Sequence, residues 1–162
     1  MSGTKIKSLE ELEKIVKGLQ NKGKKVVFTN GCFDILHYGH VMYLEKARAK
    51  GDVLIVAVNK DSSVRRLKGK NRPIVNEHDR LRIIAALSSV DYVTAFGQDT
   101  PFEVIKRLKP DVLIKGSDWN KEKIVGADFV KSRGGSVGQI KLAQNRSTTN
   151  IIKKIVEISQ DR

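Results

Sequence analysis

An unbroken apolar run, Val53-Leu54-Ile55-Val56-Ala57-Val58, follows the turn residues Gly51 and Asp52. A strand with one face in water alternates apolar and polar residues, and this run has no such alternation. It therefore predicts a strand that is covered on both faces, as the strands of parallel sheets are. Because parallel sheets occur with helices packed against them, the run indicates an α/β fold.

Shorter apolar runs predict four more strands, at residues 26–29, 92–96, 112–114 and 137–142. Segments with helical periodicity separate these runs. Ser8 with Glu11 forms a capping box before the first helix, and Asn76 is the candidate N-cap of another. This alternation predicts a Rossmann-like, three-layer αβα domain around a mostly parallel five-stranded sheet.

Four predictions about the helical segments go further. The helix after Pro101 is expected to bury Phe102, Ile105 and Leu108. The helix after Asn76 carries the apolar residues Leu81, Ile83, Ile84 and Leu87. Weaker patterns predict helices over residues 121–133 and 147–158. Residues 59–73 hold six Lys and Arg against Asp61 alone, which predicts a short helix leading into a mobile basic loop.

Composition bounds the class of protein. The chain has 162 residues, with 31 Lys and Arg against 18 Asp and Glu, a formal net charge of +13. Its hydrophobic content of 40% excludes a disordered tail, and no apolar run approaches the roughly 20 residues of a membrane-spanning helix. We expect one soluble domain over residues 1–162, with residues 1–23 as an N-terminal helical extension. The positive charge suits nucleic acid or phosphorylated small molecules as partners.

Cysteine content predicts the compartment. Cys32 is the single cysteine of the chain, so no intrachain disulfide forms, and residues 1–7 lack an apolar leader. Both features predict a cytoplasmic protein.

Topology predicts where a ligand binds. Right-handed crossovers bring the loops after the first and fourth strands to the carboxyl edge of the sheet, where α/β proteins bind ligands. These loops are residues 30–40 and 115–119. In the first loop, His37 and His40 are three residues apart at a helix entry, with Gly39 between them. The helix N-terminus, two imidazoles and an open backbone predict a site for an anion.

Two motifs resemble those of the cytidylyltransferase-like nucleotidyltransferases. The longer one is Gly31-x-Phe33-Asp34-x-Leu36-His37-x-Gly39-His40 directly after a strand, and the second is Arg146-Ser147-Thr148-Thr149 at the start of the last helix. Within that family, residues 24–157 are most similar to the adenylyltransferase domains of ADP-heptose synthases. In many relatives this domain follows a sugar kinase, and we expect the kinase step on another chain.

The resemblance implies a role for individual residues. His37, His40 and Lys68 correspond to catalytic residues of the family. The corresponding nucleotide contacts are Cys32, Phe33, Asp34, Gly39, Lys115, Gly116, Asp118, Arg146, Ser147 and Thr148. The resemblance also implies a homodimer.

The implied reaction joins ATP and D-glycero-β-D-manno-heptose 1-phosphate to give ADP-heptose, a precursor of the lipopolysaccharide core, and pyrophosphate. Since the acceptor phosphate is already an anionic nucleophile, no protein base is needed, and His37 and His40 are expected to act as donors. Mg²⁺ is expected to bridge the substrate phosphates without ligands from the protein.

Alternatives stay open at this point. A relative with another acceptor would use CTP with glycerol 3-phosphate, or ATP with FMN. A different class, a basic nucleic-acid-binding module, is disfavoured because the charge is spread along the chain, only 6% of residues are aromatic, and no binding motif appears. Asp34 either fixes its loop or lies near the acceptor, and Trp119 either stacks on a ring or covers the pocket.

The chain departs from the family pattern at two positions. Cys32 stands where relatives often have Thr, so a hydroxyl contact is lost. Cytidylyltransferases that act on glycerol phosphate carry an Arg several residues before Ser-Thr-Thr; here Leu142 occupies about that position and Arg146 abuts the motif.

Overall fold

A five-stranded parallel sheet forms the middle layer of the molecule. The computed structural model describes residues 2–117, 123–141 and 146–161. Its strands are β1 (Val26–Gly31), β2 (Val53–Asn59), β3 (Tyr92–Phe96), β4 (Val112–Gly116) and β5 (Ser136–Ile140). Their order is β3-β2-β1-β4-β5, and every pairing is parallel. The predicted α/β architecture is confirmed.

Seven α-helices are described. They are α1 (Leu9–Asn21), α2 (Tyr38–Arg48), α3 (Asp61–Lys68), α4 (Glu77–Ala86), α5 (Phe102–Leu108), α6 (Ala127–Ser132) and α7 (Thr148–Gln160). The predicted caps are present: Ser8 and Glu11 form the capping box of α1, and the Asn76 side chain accepts from the Asp79 N–H at the start of α4. Among the described helices, none combines the length and hydrophobicity needed to span a bilayer.

Two hydrophobic layers hold the helices on the sheet. On one face, α1, α5 and α6 cover inward residues such as Phe28 and Leu113. On the other, α2 and α4 cover Val27 and Ile114. All seven residues of β2 are buried, as its lack of polar alternation predicted. The two faces matter for the site, because successive residues at a strand end project to opposite sides.

One predicted core position is wrong. Phe102 is 39% exposed, whereas Val104 of α5 lies in the core. In α4, Arg80 is fully buried, and Ile83, one of the apolar residues of that helix, is 39% exposed. Arg80 lies one turn before Ile84, so it occupies the inward face of α4, and Ile83 is displaced from that face. Hydrogen bonds to every guanidinium nitrogen make the burial of Arg80 tolerable.

Two element boundaries also differ. The helix predicted over 121–133 begins at Ala127 in the described part of the chain, because Gly126 precedes it at φ 85°, outside the helical region. A Cβ at Gly126 would lie 2.7 Å from Ile105. The fifth strand covers Ser136–Ile140 rather than 137–142, and Leu142 lies outside the described residues.

The N-terminal extension contains more than a helix. A 3₁₀ turn (Ser2–Lys5) precedes Ile6, which forms a parallel bridge with Val93, and the Lys7 N–H donates to the Val93 carbonyl at 2.9 Å. This short contact lies beside the outer edge of β3, where an unpaired strand would otherwise be open.

Candidate active site

The loop between β1 and α2, residues 32–37, positions two histidines at the N-terminus of α2, and we call it the histidine loop. His37 is the N-cap of α2, and His40 lies in the first turn of that helix. The backbone N–H of His40 donates to the His37 carbonyl at 2.9 Å. Their rings stack with centroids 3.8 Å apart and an interplanar angle of 21°. The sequence spacing predicted this shared face, and the structure brings the two rings together.

Burial disfavours the charged form of both imidazoles. The Nδ1 atoms of His37 and His40 are buried and have no hydrogen-bond partner among the described residues. Burial lowers the pKa of His40 to about 4, and the neighbouring His37 adds to that effect. Burial, followed by the charge of Arg146, also lowers the pKa of His37. A bound anion would reverse this balance, because it stabilises the charged form of each ring.

Gly39 brings the start of α7 close to this pair. A Cβ at Gly39 would lie 3.0 Å from the His37 ring and 3.2 Å from Cβ of Arg146. The Arg146 guanidinium lies over the Tyr38 ring, 5.7 Å from its centroid. The absent Cβ thus admits protein side chains on both sides. The two motifs, which are more than 100 residues apart in sequence, meet at this glycine.

Two hydroxyls of the second motif, those of Ser147 and Thr148, already have protein partners. Ser147 is the N-cap of α7, and its Oγ accepts from the Asn150 N–H at 3.1 Å. The Thr148 hydroxyl donates to the Ile35 carbonyl at 3.4 Å, which ties α7 to the histidine loop. Both contacts set the direction of the α7 N-terminus toward the loop.

Phe33 has a backbone conformation rare for its type. Its φ is 47°, in the left-handed region, and its side chain is only 7% exposed. The ring meets the His40 ring edge to face, with centroids 5.3 Å apart. Gly31 admits this arrangement, because a Cβ there would lie 3.0 Å from the Phe33 ring. Strained residues of this kind concentrate at functional sites.

The carboxylate of Asp34 fastens the basic loop to the histidine loop. It is 2% exposed, and its oxygens accept from Arg72 Nε at 2.5 Å and from the Ile74 and Val75 N–H groups at 2.8 and 2.9 Å. Burial alone would raise the pKa of Asp34, but the N–H groups of Val75 and Ile74, and then Arg72, lower it below its usual range. In this structure Asp34 fixes its loop, one of the two roles that the sequence left open.

Arg80 is the residue of this region that sequence reasoning missed. Its guanidinium is fully buried and donates to the carbonyls of Cys32 and Val75 and to the Asp61 carboxylate, at 2.6, 2.9 and 2.7 Å. It thereby joins the histidine loop, the basic loop and the start of α3. Its one-turn spacing from Ile84 was the available signal.

The remaining predicted residues lie around the same edge. Lys68 is exposed at the end of α3 and lies near Cys32. Burial raises the pKa of the Cys32 thiol, and the charge of Lys68 opposes that rise. Lys115 and Gly116 end β4 and are buried, with Lys115 7% exposed. Asp118 and Trp119 lie outside the described residues.

Metal ligands do not cluster here. Within residues 2–117, 123–141 and 146–161, no group of three or more His, Cys, Asp or Glu side chains is placed to hold an ion. Asp34, the carboxylate beside the histidine loop, is already engaged by Arg72 and two N–H groups.

Comparison with known proteins identifies the family. The family model described as cytidylyltransferase-like matches residues 28–154, which include both motifs and all five strands except the first two residues of β1. The chain belongs to the cytidylyltransferase-like family. It is therefore a nucleotidyltransferase, as its motifs predicted.

Curated members of this family are similar over nearly the whole chain. Bifunctional protein HldE of Syntrophotalea carbinolica is 52% identical over 154 residues, which is 95% of this chain and 31% of that protein. Bifunctional protein HldE of Geobacter metallireducens is 53% identical over 155 residues, 96% of this chain and 32% of that one. The chain thus spans about a third of the length of the curated relatives it matches.

Solved structures show the same architecture. The lipopolysaccharide core biosynthesis protein from Thermoplasma volcanium is 31% identical with a TM-score of 0.63, and the match covers 76% of this chain and all of that one. Pantothenate synthetase from Thermus thermophilus is 14% identical with a TM-score of 0.61, covering 87% of this chain and 63% of that one. At that identity the second match shows a shared nucleotidyltransferase-like fold alone.

Proposed function

We propose that this cytidylyltransferase-like protein is an adenylyltransferase that converts ATP and D-glycero-β-D-manno-heptose 1-phosphate to ADP-heptose and pyrophosphate. The observation that carries the proposal is the His37–His40 pair, two stacked rings at the N-terminus of α2 with buried, unpartnered Nδ1 atoms in the described part of the chain. With Arg146 beside them, these groups form a donor set already in place before substrate arrives. Such a set suits the α-phosphate, where negative charge develops during transfer.

The choice of substrates is supported by the relatives. The two HldE proteins are about half identical to this chain over nearly its whole length, and the Thermoplasma volcanium protein is named for lipopolysaccharide core biosynthesis. The two motifs, and the wider similarity over residues 24–157, resemble the adenylyltransferase domains of ADP-heptose synthases. Both lines favour a sugar phosphate acceptor over glycerol 3-phosphate or FMN.

The proposed transfer is a single in-line displacement. An oxygen of the sugar 1-phosphate attacks Pα of ATP, and a new O–Pα bond forms. The bond from Pα to the bridging oxygen of the β-phosphate breaks, and pyrophosphate leaves with that electron pair. The nucleophile is an anion with no proton to remove, so the chain supplies position and charge rather than a base.

Different residues contribute hydrogen-bond donors, positive charge and support of the loops. His37 and His40 donate N–H groups to the phosphate oxygens, and the positive charges of Arg146 and Lys68 oppose the charge that builds up on them. Asp34 and Arg80 hold the loops that carry these groups. We assign Mg²⁺ to the substrate phosphates and water, where it would offset phosphate charge.

The proposal also covers domain organisation, oligomeric state and location. Residues 1–162 act as one nucleotidyltransferase domain. The protein is a homodimer and works in the cytoplasm. The free thiol of Cys32 suits a reducing compartment. Light scattering after size-exclusion chromatography tests the dimer, which requires twice the mass of one chain. Cell fractionation with an antibody to the intact protein tests the location.

A substrate panel tests the function. ATP, CTP, GTP and UTP, each with Mg²⁺, are combined with heptose 1-phosphate, glycerol 3-phosphate and FMN, and pyrophosphate release is measured. We expect release with ATP and heptose 1-phosphate together and none when either is omitted. Turnover of CTP with glycerol 3-phosphate, without any heptose 1-phosphate activity, would leave the family intact and reject the proposed substrates.

A further inference from the structure

Asn30 lies at the carboxyl end of the central strand, directly before the histidine loop. It is the next-to-last residue of β1. Thr29 points toward α2, since its Oγ1 bonds the Tyr43 hydroxyl at 2.7 Å, and Phe28 packs with the layer of α1 and α5. Because strand side chains alternate, Asn30 shares the face of Phe28. It therefore lies at the substrate edge on the side of the sheet opposite α2.

The side-chain carbonyl of Asn30 is an orphan. Its Oδ1 is buried, and the described part of the chain offers it no hydrogen-bond partner. Buried polar side-chain atoms in folded proteins nearly always have one, because an unmatched acceptor keeps the full cost of leaving water. Among the described residues, the other two atoms with this property are the Nδ1 atoms of His37 and His40, which belong to the proposed phosphate site.

A neighbouring asparagine shows the contrast. Asn59 ends β2 on the same face, is 3% exposed, and donates through Nδ2 to Ser63 Oγ at 3.0 Å. Ser63 Oγ in turn donates to the Gln98 carbonyl at 2.9 Å. The side-chain amide of Asn59 is therefore tied into the fold. Asn30 has a buried acceptor without a partner in the part of the chain that the structure describes, and a substrate bound at this edge can supply the missing donor.

A nearly buried cation stands on the adjacent strand. Phe28 pairs with Leu113 across β1 and β4, and Lys115 follows Leu113 by two residues on the same face as Asn30. Lys115 is 7% exposed. A phosphorylated, hydroxylated ligand matches a positive group beside a hydrogen-bond acceptor.

We propose that Asn30 is a substrate-binding residue whose Oδ1 accepts a hydrogen bond from a hydroxyl group of a bound substrate. Both the acceptor sugar and the ribose of the nucleotide carry such hydroxyls, and separate binding measurements distinguish them. The choice between these two ligands rests on the proposed function. The requirement for a donor beyond the described residues rests on the geometry of Asn30 alone.

The test replaces Asn30 with a residue of similar size that has no polar atoms. In Asn30→Leu the unmatched acceptor is gone, so the ligand-free protein should unfold at the same or a higher temperature than the wild type. Substrate binding should weaken by about tenfold or more, as expected when a site built to pair a hydroxyl loses its acceptor. The matched control, Asn59→Leu, breaks an internal hydrogen bond and should lower the unfolding temperature.

Binding is measured by calorimetry with ATP and with heptose 1-phosphate in separate titrations. A loss confined to heptose 1-phosphate assigns the hydroxyl to the acceptor, and a loss confined to ATP assigns it to the ribose. Asn30→Ala, which cannot overpack the strand end, repeats both titrations. The proposal is overturned if Asn30→Leu loses as much thermal stability as Asn59→Leu, or if both Asn30 variants bind both substrates within twofold of the wild type.

Failure of the proposed function has a different signature. If the substrate panel identifies another acceptor, the same titrations are run with that compound. The unfolding comparison of Asn30→Leu with Asn59→Leu needs no substrate and stays valid.

Discussion

At the scale of single residues, the main feature is that the two histidines of the proposed phosphate site favour the neutral form in the free protein. Burial, and then the stacked His37 ring, lower the pKa of His40 to about 4, and burial, and then Arg146, lower the pKa of His37. A neutral imidazole still donates one N–H, so the pair is ready for a phosphate at pH 7 without being protonated first. Protonation then becomes a consequence of binding.

This coupling predicts a pH dependence of nucleotide affinity. The pKa of His40 in the free protein is about 4, and bound phosphate is expected to raise it. At any pH between the pKa of the free form and the pKa of the bound form, ATP binding is therefore accompanied by proton uptake. By linkage, affinity should rise as the pH falls from 7 to 5, by at most about tenfold per pH unit for one proton. Calorimetric titrations in two buffers of different ionisation enthalpy measure the uptake.

Two variants separate the protein from the nucleotide, whose own phosphates also titrate. His40→Asn should take up fewer protons than the wild type, by up to one per site. His78→Asn, which changes an exposed histidine on α4, should match the wild type. Equal uptake in all three proteins would show that His40 does not gain a proton on binding.

The sequence carried much of the residue-scale picture. The spacing of His37 and His40 predicted a shared face, and the structure places Arg146 against Gly39 between them. Arg80 was not predicted, because an arginine among apolar residues normally lies on the exposed side of a helix. Its burial depends on the nearby Val75 carbonyl and on two groups more distant in sequence, those of Cys32 and Asp61, which come together only once the chain is folded.

At the scale of elements, the C-terminal end of the basic segment, residues 59–73, is attached to the histidine loop. Arg72, Ile74 and Val75 all bond Asp34, while Lys68 lies at the other end of the segment, at the end of α3. One end of this loop is therefore fixed against the histidine loop. Sequence reasoning predicted a mobile basic loop here, and no observation of motion tests that part.

Removing the Asp34 charge should release this attachment. In Asp34→Asn, Arg72 loses its carboxylate while its side chain remains largely buried, so we expect a stability loss of about 3 kcal/mol, the low end for breaking a buried ion pair. Activity should fall as well, because the Lys68 segment is no longer held at one end. Urea unfolding and kcat/KM report the two effects.

The matched control is Asp99→Asn. Asp99 pairs with Arg66, a residue of α3, at 2.7 Å, but both side chains are about half exposed. Exposed pairs contribute about 0–1 kcal/mol, so this variant should stay near the wild type in both measurements. Similar losses in the two variants would contradict a special role for Asp34.

Element prediction succeeded where a single local signal dominated. β2 follows from an unbroken apolar run, and α1 and α4 begin at the capping residues that the sequence shows. It failed where tertiary packing chose between apolar candidates, as it did for Phe102, which is exposed while Val104 is buried. It also failed at the start of α6, where a positive φ at Gly126 overrides the helical pattern.

At the scale of the whole molecule, the candidate site and an important stabilising contact lie at opposite edges of the sheet. The site gathers at the carboxyl ends of the strands. Near the amino end of β3, Lys5 donates from Nζ to the carbonyls of Leu87 and Val90 at 3.0 and 2.7 Å. This contact joins residues more than 80 positions apart and holds the N-terminal segment over the α4–β3 connection.

Stability and activity should therefore respond separately to a change at Lys5. Lys5→Met keeps the aliphatic length of the side chain but leaves both carbonyls without their charged donor, which should cost about 1–3 kcal/mol. Lys24→Met is the matched control, since Lys24 makes only an exposed ion pair with Asp52 at 4.0 Å and should lose less than about 1 kcal/mol. In both variants kcat/KM at 25 °C should equal that of the wild type, because neither lysine lies near the carboxyl edge. Urea unfolding monitored by circular dichroism gives the stabilities. A large fall in kcat/KM for Lys5→Met, with the protein still folded, would show that the two edges of the sheet are coupled.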